Sequence, residues 1–328
     1  MCHPRSFLRH AVLLGAAVLA ATALAGCGDE AGGSGTPGDP LQVVASFYPL
    51  QWMAQQVGGD RIEVSSLTKP GAEPHDLELS PRNVGAIQDA DAVVFLSEFQ
   101  PAVDQAVGEA QGEVFDARDA TELLPAEETE GDTRVEADEH EHEGDGHGHG
   151  HDEVGTTDPH FWLDPTKMAE VATAFAATLA RADPAHTADY RANAEALVGR
   201  LDDLDAEMEA GLADCEQSGL VTSHEAFGYL ARRYGFEQVG ITGLTPEADP
   251  SPKDLATVAD DASERGVTTI YFETLTSPAV AETLAAEAGA KTAVLDPIEG
   301  LTDESNGRDY LEVMRSNLET LRTGQDCA

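Results

Sequence analysis

Asp158-Pro159-His160-Phe161-Trp162-Leu163-Asp164-Pro165 places one histidine between two Asp-Pro steps. The octapeptide divides two unlike stretches. An acidic, histidine-dense run precedes it, and two helical patterns follow. Residues 166–182 are alanine-rich, and Asp183-Pro184 ends them. Residues 186–212 carry apolar side chains at Leu197, Leu201, Leu204, Met208 and Leu212, the spacing of one helix face. At 1.5 Å per residue this second helix would run about 40 Å, enough to join two lobes stiffly.

Strand and helix patterns alternate on both sides of that helix. Upstream, residues 41–48, 61–67, 92–96 and 113–117 read as strands, and 49–57, 80–90 and 100–110 as helices. Downstream, residues 220–223, 236–242, 268–272 and 292–295 read as strands, and 226–234, 253–264, 278–288 and 307–321 as helices. Such alternation implies parallel sheets covered by helices. The expected fold is α/β: two parallel-sheet (β/α)4 lobes, residues 41–182 and 213–328, joined by a long rigid helix over 183–212. No close sequence repeat relates the lobes; they share only the pattern.

The first 26 residues read as an address. Arg5 and Arg9 form a basic start, residues 11–24 are apolar but short for a membrane span, and small residues close the segment. Leu24-Ala25-Gly26-Cys27 resembles a bacterial lipobox, which makes Cys27 the lipidation site and residues 28–40 a flexible tether. The expected location is extracytoplasmic, lipid-anchored to the outer face of the bacterial cell membrane. Cys215 and Cys327 then remain, and an exported chain with two cysteines favours a disulfide between them. The net charge of −42 loses two arginines with the leader and becomes −44. Phosphates would be repelled by such a chain, which argues against nucleic-acid partners and suits a cation.

Residues 127–153 break the composition. They hold twelve acids, one arginine and five histidines, His140, His142, His147, His149 and His151. With almost nothing apolar to bury, the stretch reads as a mobile loop. Alternating histidine and glycine among carboxylates suits a weak, exchangeable collector of imidazole-preferring metals such as zinc.

Three other histidines stand apart. His75 follows the second expected strand, His224 follows the first strand of the second lobe, and His160 precedes the two helices. Asp296 follows the last strand. In open α/β sheets ligands bind beyond the carboxyl ends of strands, so these positions fall where a site would lie, in the cleft between lobes. Three imidazoles and a carboxylate can fill a tetrahedral zinc site. Asp296 is the expected fourth ligand, and Glu225, Glu273 and Glu299 are the competing carboxylates. Asp76 and Asp164 are candidates to orient the imidazoles. A site closed by four protein ligands keeps no position for an activated water, which favours holding an ion over hydrolysis. No His-Glu-x-x-His helix and no Gly-x-Ser-x-Gly elbow occur.

The motifs themselves resemble a known family. Gly71-Ala72-Glu73-Pro74-His75-Asp76 resembles the first metal-histidine motif of the ZnuA/TroA-like cluster A-I binding proteins, the metal-receptor lipoproteins of ABC importers. The octapeptide around His160 is similar to their second motif, Ser223-His224-Glu225-Ala226-Phe227-Gly228-Tyr229 to the third and Leu295-Asp296-Pro297 to the fourth. The resemblance runs over residues 41–321. It implies His75, His160, His224 and Asp296 as ligands of a transported Zn2+, with Mn2+ as the alternative. It also implies no enzymatic activity and handover to an importer permease and its ATPase; the protein is expected to be a monomer. Manganese receptors of the family usually carry Glu where His224 stands, and the histidine-rich insertion points the same way, to zinc. The rival readings are a manganese or iron receptor, a zinc hydrolase and a surface adhesin.

Overall fold

A computed structural model describes residues 39–129, 157–246 and 250–328. The leader, Cys27 and the five loop histidines from His140 to His151 lie outside the described residues.

In the first half, strands β1 (Leu41–Ala45), β2 (Ile62–Ser66), β3 (Ala92–Phe95) and β4 (Glu113–Asp116) alternate with helices α1 (Tyr48–Gly58), α2 (Pro81–Asp89) and α3 (Pro101–Ala106). A four-residue helix, α4 (Ala126–Thr129), follows, and then α5 (Pro165–Ala182) and α6 (Thr187–Leu212). In the second half, β5 (Gly219–Thr222), β6 (Glu237–Gly240), β7 (Thr269–Phe272) and β8 (Lys291–Val294) alternate with α7 (Gly228–Tyr234), α8 (Pro252–Glu264) and α9 (Ala279–Ala288), and α10 (Tyr310–Gly324) closes the chain. The sheets are wholly parallel among the described residues. Their strand orders, β2-β1-β3-β4 and β6-β5-β7-β8, are the same topology used twice. The shared strand–helix pattern in the sequence is thus a shared fold.

Local chemistry explains the ends. Residues 46–48, read as strand, instead leave the sheet so that Pro49 can sit in the first turn of α1. In each lobe a Ser-Pro pair opens a helix with a capping box: Ser80 with Asn83 starts α2, and Ser251 with Asp254 starts α8. Asp164, a candidate for orienting a histidine, instead caps α5, its carboxylate accepting from the Thr166 N–H at 2.9 Å.

One core cluster runs through both halves, and each sheet has a smaller one on its other face. Helix α6 lies along the large cluster. Leu197, Leu201, Leu204, Met208 and Leu212 are all buried in it. Near its start α6 is tied to the first lobe, where the Asn193 amide donates to the Val57 carbonyl at 3.0 Å. Near its end it is tied to the second, where Asp205 accepts from Arg233 and Tyr234, and Glu207 from Arg315. A helix pinned to both lobes transmits orientation between them instead of acting as a loose hinge.

Cys215 and Cys327 form a disulfide, 112 residues apart in sequence. Backbone bonds beside it, Gln217 N–H to the Gln325 carbonyl and Ala328 N–H to the Asp214 carbonyl, fasten the C-terminus to the end of α6. Closing so long a loop removes denatured-state entropy worth about 4–5 kcal/mol in the chain-entropy model. Replacing both cysteines by serine is expected to lower stability by about that amount, read as a lower urea midpoint, with a steeper slope because the uncrosslinked denatured chain exposes more surface.

Candidate metal centre

The sheet order fixes where a site can form. In the second sheet the chain reverses direction of growth between β5 and β7, and a crevice opens at the carboxyl ends of these strands. His224 lies just beyond β5 and Glu273 just beyond β7. They meet there: the His224 ring bonds through Nδ1 to Glu273 Oε1 at 2.5 Å. His160 is fixed in the same way. Asp158 Oδ1 accepts from its Nδ1 at 2.7 Å and from its backbone N–H at 2.8 Å. A carboxylate accepts, so in both rings the proton sits on Nδ1 and Nε2 is left to face a cation.

Asp158 is itself held across the lobes. Tyr229, on α7, donates its hydroxyl to the Asp158 carbonyl at 2.9 Å and accepts from the Leu124 N–H at 2.7 Å. The preceding Gly228 packs so closely that a Cβ would stand 2.4 Å from Thr129 and 2.9 Å from Asp158 Oδ2, which only glycine avoids. His75 comes from the loop after β2, edge-on to the Phe99 ring with centroids 4.6 Å apart.

His75, His160, His224 and Glu299 converge, and one donor atom from each lies within 4.8 Å of all the others. Glu299 Oε1 stands 3.2 Å from His75 Nε2, 3.1 Å from His160 Nε2 and 3.4 Å from His224 Nε2. Bonds of about 2.0–2.2 Å to a tetrahedral ion require donor atoms about 3.3–3.6 Å apart, so the spacing fits zinc-sized coordination with little movement.

Asp296, the expected fourth ligand, is not in this group. Its carboxylate is occupied by a turn. Oδ1 accepts from the Ile298 N–H at 2.8 Å and Oδ2 from the Thr274 hydroxyl at 3.2 Å, while Asn317 bonds its N–H and its carbonyl. The turn drives Ile298 to φ 61°, a left-handed conformation costly for a β-branched residue. Trp162 clamps it by donating its indole N–H to the Pro297 carbonyl at 2.7 Å. The result is to aim the residue after Ile298, Glu299, at the histidines. Asp-Pro-x-Glu works as a device in which the aspartate makes the turn and the glutamate faces the cluster. Glu225 and Glu273 are not in the four-residue group either. The residues that orient the imidazoles, Asp158 and Glu273, were not read in that role from sequence, and Asp76 is exposed.

Electrostatics divides the imidazoles. Burial works against charge on His160 and His224, but Asp158 and Glu273 respectively, joined by Glu299, outweigh it and raise both above the ordinary imidazole range. His75 has Glu299 but, among the described residues, no such carboxylate on its other nitrogen, and burial wins, lowering it. Burial opposes charge on Glu299 too, yet the three imidazoles hold it well below the usual carboxylate range. Nearby Glu73 is pushed up to about 8, chiefly by burial and then by Glu299.

The profile of a family described as "Zinc-uptake complex component A periplasmic", ZnuA, matches residues 43–324. The chain belongs to this family. It is 36% identical over 307 residues to the high-affinity zinc uptake system protein ZnuA of Bacillus subtilis, covering 91% of this chain and 92% of that protein. It is 39% identical over 291 residues to the zinc-binding protein AdcA of Streptococcus pyogenes, where 88% of this chain spans only 56% of the relative. Among solved structures, the Zn(II)-bound ZnuA-like domain of Streptococcus pneumoniae AdcA superposes with a TM-score of 0.71 at 33% identity, covering 88% of this chain and 99% of that one. The ZnuA family consists of solute-binding proteins of transport systems, and its two-lobed fold is the one described above.

Two outcomes follow from the geometry. Glu299→Gln is expected to weaken zinc binding by at least about tenfold, whereas Asp296→Asn should act mainly through stability, measured by competition titration beside thermal melting. Because carboxylate partners make His160 and His224 hold their protons more tightly than an ordinary imidazole does, zinc has to compete with those protons. Affinity is therefore expected to rise with pH through 6.5 and beyond, by up to about tenfold per pH unit for each proton released, and to fall as pH drops.

Proposed function

We propose that this protein captures Zn2+ on the outer side of the cytoplasmic membrane and delivers it to the permease of an ABC importer driven by a separate ATPase. The observation that carries the reading is the group of three imidazoles and one carboxylate drawn from both lobes, with Glu299 3.1–3.4 Å from each imidazole and one donor atom of every member within 4.8 Å of the others. His75, His160, His224 and Glu299 would hold the ion. Nitrogen-rich, four-coordinate surroundings suit zinc; manganese takes more oxygen ligands at larger coordination number. The names of the B. subtilis and streptococcal relatives support the same metal. A site closed by four protein donors serves holding and release and not hydrolysis, in keeping with a receptor that is not an enzyme.

Lipidation at Cys27 would tether a monomer within reach of its permease. The histidine-rich stretch would gather zinc beside the site. The described residues on either side of it are held together, Asp158 N–H donating to the Leu124 carbonyl at 2.9 Å.

Calorimetric titration of residues 28–328 with zinc and manganese in parallel tests the proposal. One tight zinc site with much weaker manganese is expected, and His75→Ala should abolish it. Deleting residues 131–153, which spares the buried Thr129, should keep the tight site and lower the total zinc bound. Equal or tighter manganese would move the protein to the manganese receptors.

A further inference from the structure

Exposure around the metal centre is one-sided. The side chains of His160, His224, Glu299 and Asp158 are fully buried and Glu273 is 1% exposed, while His75 keeps 9% and Glu73 15%. An ion arriving from water meets Glu73 and His75 first. Glu73 Oε1 accepts from the His75 N–H at 3.0 Å and lies 4.0 Å from His75 Nε2, the same atom that Glu299 approaches at 3.2 Å. Glu73 Oε2 has no hydrogen-bond partner among the described residues.

The two distances have different meanings. Two metal–ligand bonds of about 2.1 Å span at most about 4.2 Å, so one ion can bridge His75 Nε2 and Glu73. A tetrahedral pair needs about 3.4 Å, which Glu299 meets and Glu73 does not. The two carboxylates also sit on loops in mutual contact. A side chain at Gly300 would stand 3.8 Å from the Ala72 carbonyl, and one at Gly71 would stand 3.7 Å from Thr302.

We propose that Glu73 is a transit ligand, which binds the incoming ion together with His75 and passes it to Glu299, and takes it back on release. The inference rests on the zinc-receptor reading and adds a residue to it. A group that binds the ion only on the way lowers the barrier in both directions and leaves the equilibrium unchanged.

Stopped-flow zinc binding and chelator-driven release, with equilibrium titration alongside, test this on wild type, Glu73→Gln, Glu73→Asp and Asp76→Asn. Glutamine keeps an acceptor for the His75 N–H but cannot give up a proton to become the anionic ligand that an arriving cation would make of Glu73. Asp76→Asn removes a carboxylate from an exposed position on the same loop. In Glu73→Gln, kon and koff are expected to fall together by roughly tenfold with Kd unchanged, Glu73→Asp recovering part of the loss and Asp76→Asn staying near wild type. Unchanged kon in Glu73→Gln, an equal loss in Asp76→Asn, or a rise in Kd carried by koff alone would overturn the proposal. Absence of a tight zinc site in the wild-type titration would overturn the receptor reading itself, and this inference with it.

Discussion

A carboxylate without solvent exposure, Glu299, sits among three imidazoles that are themselves buried or nearly so. Burying a charge costs several kcal/mol unless partners compensate, and here Asp158 and Glu273 bring two more buried carboxylates to the same group. Positive charge has to enter this space, as protons on the imidazoles or as a metal ion. That competition is why His160 and His224 hold their protons so firmly, and why a divalent cation that displaces them would be held well.

The rest of the molecule can be understood as the means of keeping these groups together. Two sheets of identical strand order each open a crevice at their carboxyl edge, and α6 fixes one crevice against the other. Contacts then cross between the lobes at the centre itself. Tyr229 holds Asp158, which holds His160; Trp162, two residues on, holds the turn that presents Glu299. A strained Ile298, an Asn317 given wholly to Asp296 and a glycine at 228 are the local costs of that construction. Since each lobe supplies residues of the converging group and also orients those of the other, a change at either lobe alters both.

The fold was largely legible because its elements announce themselves chemically. Short strands rich in β-branched residues, Ser-Pro helix starts and the apolar face of α6 from Leu197 to Leu212 need no knowledge of tertiary contacts. The meeting of the three histidines was legible for a topological reason, since His75 and His224 follow strands and His160 stands between Asp-Pro steps. The carboxylate that joins them was not. Asp296 ends at the right place along the chain, but an aspartate before proline is also the residue that makes a turn, and here turn formation takes its carboxylate. Which way Glu299 points depends on the φ of Ile298 and on the Trp162 indole, 135 residues away from its acceptor. Glu273 was hidden similarly: only the pairing of β5 with β7 brings it beside His224.

Zinc-edge anomalous diffraction from crystals of the zinc-loaded protein tests the central claim most directly. We expect one dominant peak about 2.0–2.2 Å from Nε2 of His75, His160 and His224 and from a Glu299 oxygen, with Asp296 still bonded to the Ile298 N–H. A peak coordinated by Asp296, or zinc confined to the histidine-rich stretch with the four converging residues empty, would contradict it.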